Sequence, residues 1–279
     1  MIRILTGLCF ATLMVLTAPS AFAHPDARHS LEVIDEHLQA SPADALLYLN
    51  KAEILLGIDH LPEAIRCVDE AARLDPNAAG LGYYEARLFL AAGSPASAIK
   101  RLEAFLKTEP QHGDAMRLIA NVYASQDDLD SGVKWLQAVL QLPTPPRPDD
   151  AARCASLYLH RKRPGDDDLA LKALDTGLAR IGCLTGLQYM AIDIEVRLGR
   201  HDAALARLAL LSARFRPRVE FELRRAEILT QADRKAEAAA AYDNVVTIMD
   251  TTPRERQTSA VFKETRQRYL ALRDELKTP

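Results

Sequence analysis

The most informative part of the sequence is residues 42–76, which read PADALLYLNKAEILLGIDHLPEAIRCVDEAARLDP. Small and apolar residues recur in this stretch at steps of three and four, which places them on one face of a helix. They are Tyr48, Ala52 and Leu55 in the first half and Ala64, Val68 and Ala71 in the second half. The stretch therefore predicts two amphipathic helices that lie next to each other in the chain.

The same pattern returns at a fixed distance. Pro42, Pro76 and Pro110 are 34 residues apart, and the next step falls on Thr144 within a proline-rich stretch. Gly82, Ala86, Phe89, Ala98, Leu102 and Phe105 occupy the corresponding positions of the second unit, and Met116, Ala120, Tyr123, Gly132, Leu136 and Val139 those of the third. An internal repeat of this length predicts a solenoid of stacked helix pairs.

This pattern resembles the tetratricopeptide repeat family. The residues that support the resemblance are Ala52, Ala64, Ala71, Pro76, Ala86, Gly93, Ala98, Pro110, Ala120 and Tyr123. The sequence departs from the family at Tyr48, Gly82 and Met116, where tryptophan is common, and at Gly132 and Thr144, where alanine and proline are expected. The resemblance implies an all-α, right-handed superhelical solenoid of helix-turn-helix repeats with capping helices, whose concave face binds a protein or peptide.

The repeats divide the chain into predicted segments. A signal peptide occupies residues 1–23, a capping helix 24–41, three well-formed units 42–144, three degenerate units 145–252 and a second capping helix 253–279. The degenerate units are expected to contain helices at 151–160, 169–181, 187–198, 203–215, 219–230 and 236–249. The proline-rich stretch 143–150 is the one candidate boundary, and it indicates either an irregular joint in one superhelix or a link between two arrays.

Polar residues mark several of the predicted helix ends. Ser41 is expected to cap a helix, with Pro42 in its first turn and Asp44 near its third position. The acidic run 166–168 is expected to stabilise a helix N-terminus. The basic run 161–163 is expected to meet exposed carbonyl groups near a helix C-terminus.

The first residues have the features of an export signal. Arg3 precedes an apolar run from Ile4 to Leu16, and Ala21-Phe22-Ala23 is a small-x-small cleavage site. The apolar run is shorter than the ~20 residues that span a bilayer. We therefore expect cleavage after Ala23 and a periplasmic or secreted protein that begins at His24, with an uncleaved anchor as the alternative.

Export would place the cysteines in an oxidising compartment. Cleavage removes Cys9 and leaves Cys67, Cys154 and Cys183, which is an odd number. Cys154 lies near the start of the fourth predicted helix pair and Cys183 just past its end. Antiparallel helices would bring these two positions together, so we predict either a disulfide between them or two ordinary buried thiols.

The sequence contains few features that indicate catalysis or the binding of a nucleic acid, nucleotide or metal. The net charge of −3 gives no general electrostatic reason to expect a nucleic-acid partner, and no nucleotide-binding or hydrolase motif occurs in the sequence. We expect no cofactor and no enzymatic activity. A new N-terminus at His24 would offer an amine and an imidazole to copper, with His29 nearby. A copper-binding protein and an accessory to a cell-wall enzyme are therefore the alternatives to a binding scaffold.

The family resemblance also implies a binding surface. Tetratricopeptide domains that clamp peptide carboxylates use Lys, Arg and Asn at set positions of the first helix of each pair. The candidate groove residues at those positions are Asn50, Tyr83, Tyr84, Arg87, Arg117 and Asn121. Leu49 occupies a position where such a clamp has a cation, which argues against binding of a peptide carboxylate by a clamp of this kind. Either the tyrosines and arginines contact a partner, or the tyrosines only pack between helix pairs. Arg87→Glu with Arg117→Glu is expected to abolish binding while leaving the melting temperature nearly unchanged.

Overall fold

A computed structural model describes residues 25–215, 218–251, 253 and 257–277. The predicted signal peptide and His24 lie outside these ranges. The regular secondary structure of the described residues is α-helical. Its helices are α1 Pro25–Ala40, α2 Ala45–Gly57, α3 Leu61–Leu74, α4 Leu81–Ala91, α5 Pro95–Thr108, α6 Gly113–Ser125, α7 Leu129–Leu140, α8 Pro148–Arg161, α9 Asp166–Ile181, α10 Thr185–Arg197, α11 His201–Arg214, α12 Val219–Gln231, α13 Lys235–Asp250 and α14 Ala260–Lys277. Within the described part of the chain, no helix has the length and apolar character needed to cross a membrane.

The helices follow one another as pairs. The two helices within α2–α3, α6–α7, α8–α9 and α12–α13 pack closely against each other, and α1 and α14 are single helices at the two ends of the described chain. The helices of the degenerate region begin and end within about three residues of the predicted positions. The expected all-α solenoid of repeated helix pairs is therefore confirmed.

Small residues at repeat positions make the close packing possible. Ala52, Ala64, Ala71, Ala86 and Ala98 have no exposed surface. Gly177 shows the tightest approach: a Cβ atom there would lie 2.5 Å from the Cβ atom of Ala151 on the facing helix α8.

Phe89 departs from the predicted apolar stripe. Its side chain is 40% exposed rather than buried. It lies in the last turn of α4, where the helix ends at Ala91 and a short turn follows.

The chain forms two compact units, one up to Phe105 and one from Leu106. This division falls inside α5 and not at the proline-rich stretch 143–150.

Arg180 explains why that stretch does not separate two bodies. Its guanidinium donates hydrogen bonds to the carbonyl oxygens of Leu140 (2.8 Å), Pro143 (3.0 Å) and Thr144 (2.9 Å), and α7 packs on α8. The stretch is therefore an anchored joint inside the second unit.

Two helix ends differ from the sequence prediction. Helix α2 begins at Ala45, and its N-cap is Asp44 instead of Ser41, because the Asp44 carboxylate accepts hydrogen bonds from the Leu46 and Leu47 amides. Helix α9 begins at Asp166 and includes the acidic run in its first turn. The acids thus lie inside the helix, where they complement the helix dipole.

The basic run 161–163 also differs from prediction. Its arginines contact carboxylates instead of backbone carbonyl groups. Arg161 contacts Asp166 (2.6 Å) and Asp130 (2.7 Å), and Arg163 donates two hydrogen bonds to Asp130 (2.6 and 2.8 Å). Asp166 is almost fully buried, and hydrogen bonds from Arg161 hold its pKa below the usual range of an aspartate.

Three ion pairs of the second unit recur with the repeat. Each joins an arginine at the turn of one helix pair to an aspartate near the turn of the preceding pair. We call them the turn-edge pairs: Arg163–Asp130, Arg200–Asp168 (2.5 Å) and Arg234–Asp202 (2.8 Å). All three pairs are largely exposed, so each one alone contributes little to the stability of the fold. Together they tie successive repeats along one edge.

Candidate functional site

The first unit contains a mixed patch on its helices α2 and α4, which contact each other. On α2, Leu46, Asn50 and Glu53 follow at steps of four and three residues and so share one face. Leu46 is 49% exposed, and Asn50 is exposed as well. On α4, the facing residues are Tyr83, Tyr84 and Arg87, which are half-buried. We call these six residues the α2–α4 patch.

Arg87 is the centre of the patch. Its guanidinium forms an ion pair with Glu53 and lies 5.7 Å from the ring centre of Tyr83 and 6.0 Å from that of Tyr84. The two rings are 5.4 Å apart in an edge-to-face arrangement. Burial lowers the pKa of Arg87, but an arginine in this position stays protonated at neutral pH. The contacts from both helices hold this cation in a defined position.

The two tyrosines have more than one role. Tyr84 packs against the buried cluster formed by α2, α3 and Leu81, which agrees with the interpretation that it fills space between helix pairs. Both side chains nevertheless stay partly exposed beside Arg87. Tyrosine and arginine are among the residue types that most often dominate the binding energy of protein interfaces.

Arg117 has a structural role that the groove prediction does not include. It belongs to an internal ion pair of the second unit, so we expect its substitution to lower stability, and its place in the binding groove stays a prediction. Its Nε and Nη2 atoms donate hydrogen bonds to the two carboxylate oxygens of Asp150 at 2.7 and 2.8 Å. Asp150 is 2% exposed and also accepts a hydrogen bond from the Arg147 amide, which caps α8. These hydrogen bonds raise the pKa of Arg117.

Asn121 lies one turn beyond Arg117 on α6 and is half-buried. Both residues belong to the second unit, whereas Asn50, Tyr83, Tyr84 and Arg87 belong to the first. Of the predicted groove residues, Tyr83, Tyr84 and Arg87 contact one another.

A second arginine network has no recognisable motif in the sequence. Arg207 on α11 contacts Glu195 (2.7 Å) and donates hydrogen bonds to both carboxylate oxygens of Asp175 (2.7 and 3.0 Å). Glu195 is 5% exposed. The spacing of Arg207 and Asp175, close to one repeat, is the only sequence feature that could have indicated the contact.

The cysteines do not form the predicted bridge in the structure. Cys154 and Cys183 are both free thiols, as is Cys67. Cys154 is buried in the cluster of α7, α8, α9 and α10 residues, whereas Cys183 packs against a different cluster of α10, α11 and α12 residues. Burial raises the pKa of the Cys154 thiol to about 12.

The metal hypothesis rests on His24, which lies outside the described residues. His29 is exposed, and its nearest carboxylate, that of Glu32, is 4.0 Å away. Among the residues whose positions are described, no group of three His, Cys, Asp or Glu side chains converges as metal ligands would.

Comparison with known proteins agrees with the helix pairs. The sequence profile described as "Tetratricopeptide repeat" matches residues 83–151 and 189–251. No curated protein sequence matches the chain. Among solved structures, the C-terminal part of a TPR repeat-containing protein from Cytophaga hutchinsonii is 12% identical, with a TM-score of 0.56 over 82% of this chain and 93% of that chain.

Two further structures have lower scores. A tetratricopeptide repeat protein from Parabacteroides merdae is 17% identical, with a TM-score of 0.44 over 89% of this chain and 92% of that chain. MamA from Desulfovibrio magneticus RS-1 is 16% identical, with a TM-score of 0.44 over 56% of this chain and 85% of that chain. Tetratricopeptide repeats generally serve as protein-interaction modules. The matching profile shows tetratricopeptide repeats at residues 83–151 and 189–251, and the repeated helix pairs with their buried small residues agree with this repeat.

Proposed function

We propose that the protein is a non-catalytic scaffold that binds a protein or peptide partner through the α2–α4 patch. The observation that supports this most is the Arg87 guanidinium, which Glu53 and two tyrosine rings hold in place, while Leu46 and Asn50 are exposed on the same face of α2 as Glu53. In solenoids of this family, the first helix of each pair lines the binding surface, and α2 and α4 are such helices.

The patch favours a particular kind of ligand. Leu46 and the tyrosine rings offer apolar surface, Asn50 offers an amide and Arg87 offers hydrogen-bond donors to carbonyl or carboxylate oxygens. A segment with an apolar side chain next to a carboxylate or an exposed carbonyl group matches this set. Since Glu53 already neutralises part of the charge on Arg87, we do not expect the patch to require a strongly acidic ligand.

Site-specific photo-crosslinking in the native cell tests this proposal. A photoreactive amino acid at Asn50 should give a discrete crosslinked product, whereas the same amino acid at Lys100, an exposed position on α5, should not. Arg87→Gln should reduce the yield at Asn50 about tenfold, a loss of about 1.4 kcal/mol of binding free energy. Lys100→Gln is the matched control.

The opposite pattern contradicts the proposal. Products at Lys100 without products at Asn50 would place the partner on the outer helices, and an unchanged yield in Arg87→Gln would remove that side chain from the interface. Circular dichroism of each variant separates a loss of binding from a loss of fold.

We further propose that the scaffold works in the bacterial cell envelope. Arg3, the apolar run from Ile4 to Leu16 and the cleavage site ending at Ala23 support export. Intact-mass measurement of protein from the periplasm of a Gram-negative host should give a chain that starts at His24. A mass that still includes Met1 to Ala23 would contradict cleavage.

A further inference from the structure

The outward face of α11 is apolar. Its exposed side chains are Ala203, Ala206, Ala209, Leu210 and Ala213, which we call the α11 face. Leu210 is 62% exposed. The exposed face of α3, which occupies the same place in its own helix pair, differs because it carries Arg66, Asp69 and Arg73. The apolar character is thus a property of α11 and not of every second helix of a pair.

Opposite charges stand at the two ends of this face. Asp202, in the first turn of α11, has a side chain that is 94% exposed and contacts Arg234 alone among the described residues. Arg214, the last residue of the helix, is exposed and forms no ion pair with another described residue. The helix therefore presents a negative end, an apolar middle and a positive end.

We propose that the α11 face binds a second copy of this chain, with the two α11 helices antiparallel about a two-fold axis. In such an arrangement the same surface meets itself. Aligning Asp202 with Arg214 of the second copy places Ala203 opposite Ala213 and Ala206 opposite Leu210. Each leucine then faces an alanine, and an ion pair closes each end. A parallel arrangement would instead place like charges together at both ends.

A cavity lies next to the α11 face. It has a volume of about 490 Å³ and lies between α11, α12 and α13 in the second unit. Ala206 and Ala209 form part of its wall, with Leu205 and Leu229 at the apolar side. Charged residues, among them Glu222, Arg225 and Glu237, line the rest of the cavity, so we expect Leu210 of the second copy to cover its rim at Ala206 and not to fill it.

The expected dimer is weak. A helix of 14 residues is about 21 Å long. Two such helices in contact bury less than the ~1,200 Å² that is typical of stable complexes, so the association should be reversible and depend on concentration. The inference is independent of the proposed partner site, because α11 lies in the second unit and the α2–α4 patch in the first.

Sedimentation of the purified mature chain tests the proposal. From about 10 µM to about 1 mM, the wild type should shift from monomer towards dimer. Asp202→Arg and Arg214→Glu should each remain monomeric, because like charges then meet at both ends. An equimolar mixture of these two variants should associate again, because opposite charges meet at both ends of the mixed pair. Leu210→Glu should also remain monomeric, whereas Val261→Glu, at a 73% exposed position on α14, should behave as wild type.

Three results would overturn the proposal. They are a wild type that stays monomeric at about 1 mM, single charge variants that dimerise like the wild type, and a mixture that stays monomeric. All the changed positions are exposed, so circular dichroism should be unchanged in every variant. If one charge variant fails to fold, the comparison of Leu210→Glu with Val261→Glu still decides between this face and another.

Discussion

Replacing Arg117 with leucine should destabilise the second unit. In the wild type, the Arg117 guanidinium donates two hydrogen bonds to Asp150, at 2.7 and 2.8 Å, and the Asp150 side chain is 3% exposed. Leucine keeps an apolar side chain on α6 but provides no donor. The Asp150 carboxylate would then keep its hydrogen bond from the Arg147 amide (2.7 Å) and lose its counter-ion.

The expected loss is about 3 kcal/mol. Removing one partner of a buried ion pair costs about 3–5 kcal/mol, because the remaining charge is left uncompensated. The Arg117 side chain is 18% exposed, so water can reach the vacated position, which favours the lower end of that range. A domain of this size loses about 2–4 °C of melting temperature per kcal/mol, which gives a decrease of about 6–12 °C.

Urea unfolding followed by far-ultraviolet circular dichroism measures this loss. Arg153→Leu is the matched control, because Arg153 is an exposed arginine on α8 that forms no ion pair with the described residues, and its effect should stay within about 0.5 kcal/mol. Asp150→Asn and the double variant complete a cycle that isolates the pairwise energy. If Arg117→Leu is as stable as Arg153→Leu, the ion pair contributes nothing and the reasoning is wrong.

Three further outcomes are expected. Gly177→Ala should lower the free energy of unfolding by about 1–3 kcal/mol, because the new Cβ atom would clash with α8. Gly186→Ala should raise the free energy of unfolding by up to ~1 kcal/mol, because there is open space around Gly186. Equal urea midpoints of the two variants would contradict this expectation. In the native protein at pH 8, Cys154 should be alkylated far more slowly than the less buried Cys183, and mass spectrometry should show that urea removes the difference. Hydrogen bonds from Arg163 and Arg161 lower the pKa of Asp130 in the folded state, so the stabilisation is present above the unfolded pKa of about 4 and is lost as the pH falls through the lower folded value. Urea midpoints should therefore fall below pH 4, and less steeply in Asp130→Asn.

The repeat itself could be predicted from the sequence because helix packing depends on local periodicity. Ala52 and Ala64 were expected at helix contacts, and both are fully buried. The degenerate second half was also predictable, since steps of three and four residues persist there even where the family's usual residues are replaced. The exact helix starts were less predictable, because Ser41 and Asp44 are both good caps and the structure uses Asp44.

The partners of the long charged side chains could not be predicted. Arg117 has the residue type and position of a groove cation, and only the three-dimensional arrangement shows that Asp150 is within its reach. Arg180 likewise gives no sign in the sequence that it anchors a proline-rich stretch 37 residues away. A flexible arginine can reach several carboxylates or carbonyl groups, and the choice depends on tertiary packing.

The turn-edge pairs have a direction that matters when the protein is made. In each of the three, the aspartate comes from the earlier helix pair and the arginine from the later one. A chain that emerges with its N-terminus first therefore always presents the acid before its partner exists. The arginine follows 32 or 33 residues later in the chain. Each of these helix pairs therefore has an unpaired carboxylate until the next helix pair emerges, and the arginine of that next pair can then bind it. The helix pairs are thus expected to dock in the order in which they emerge.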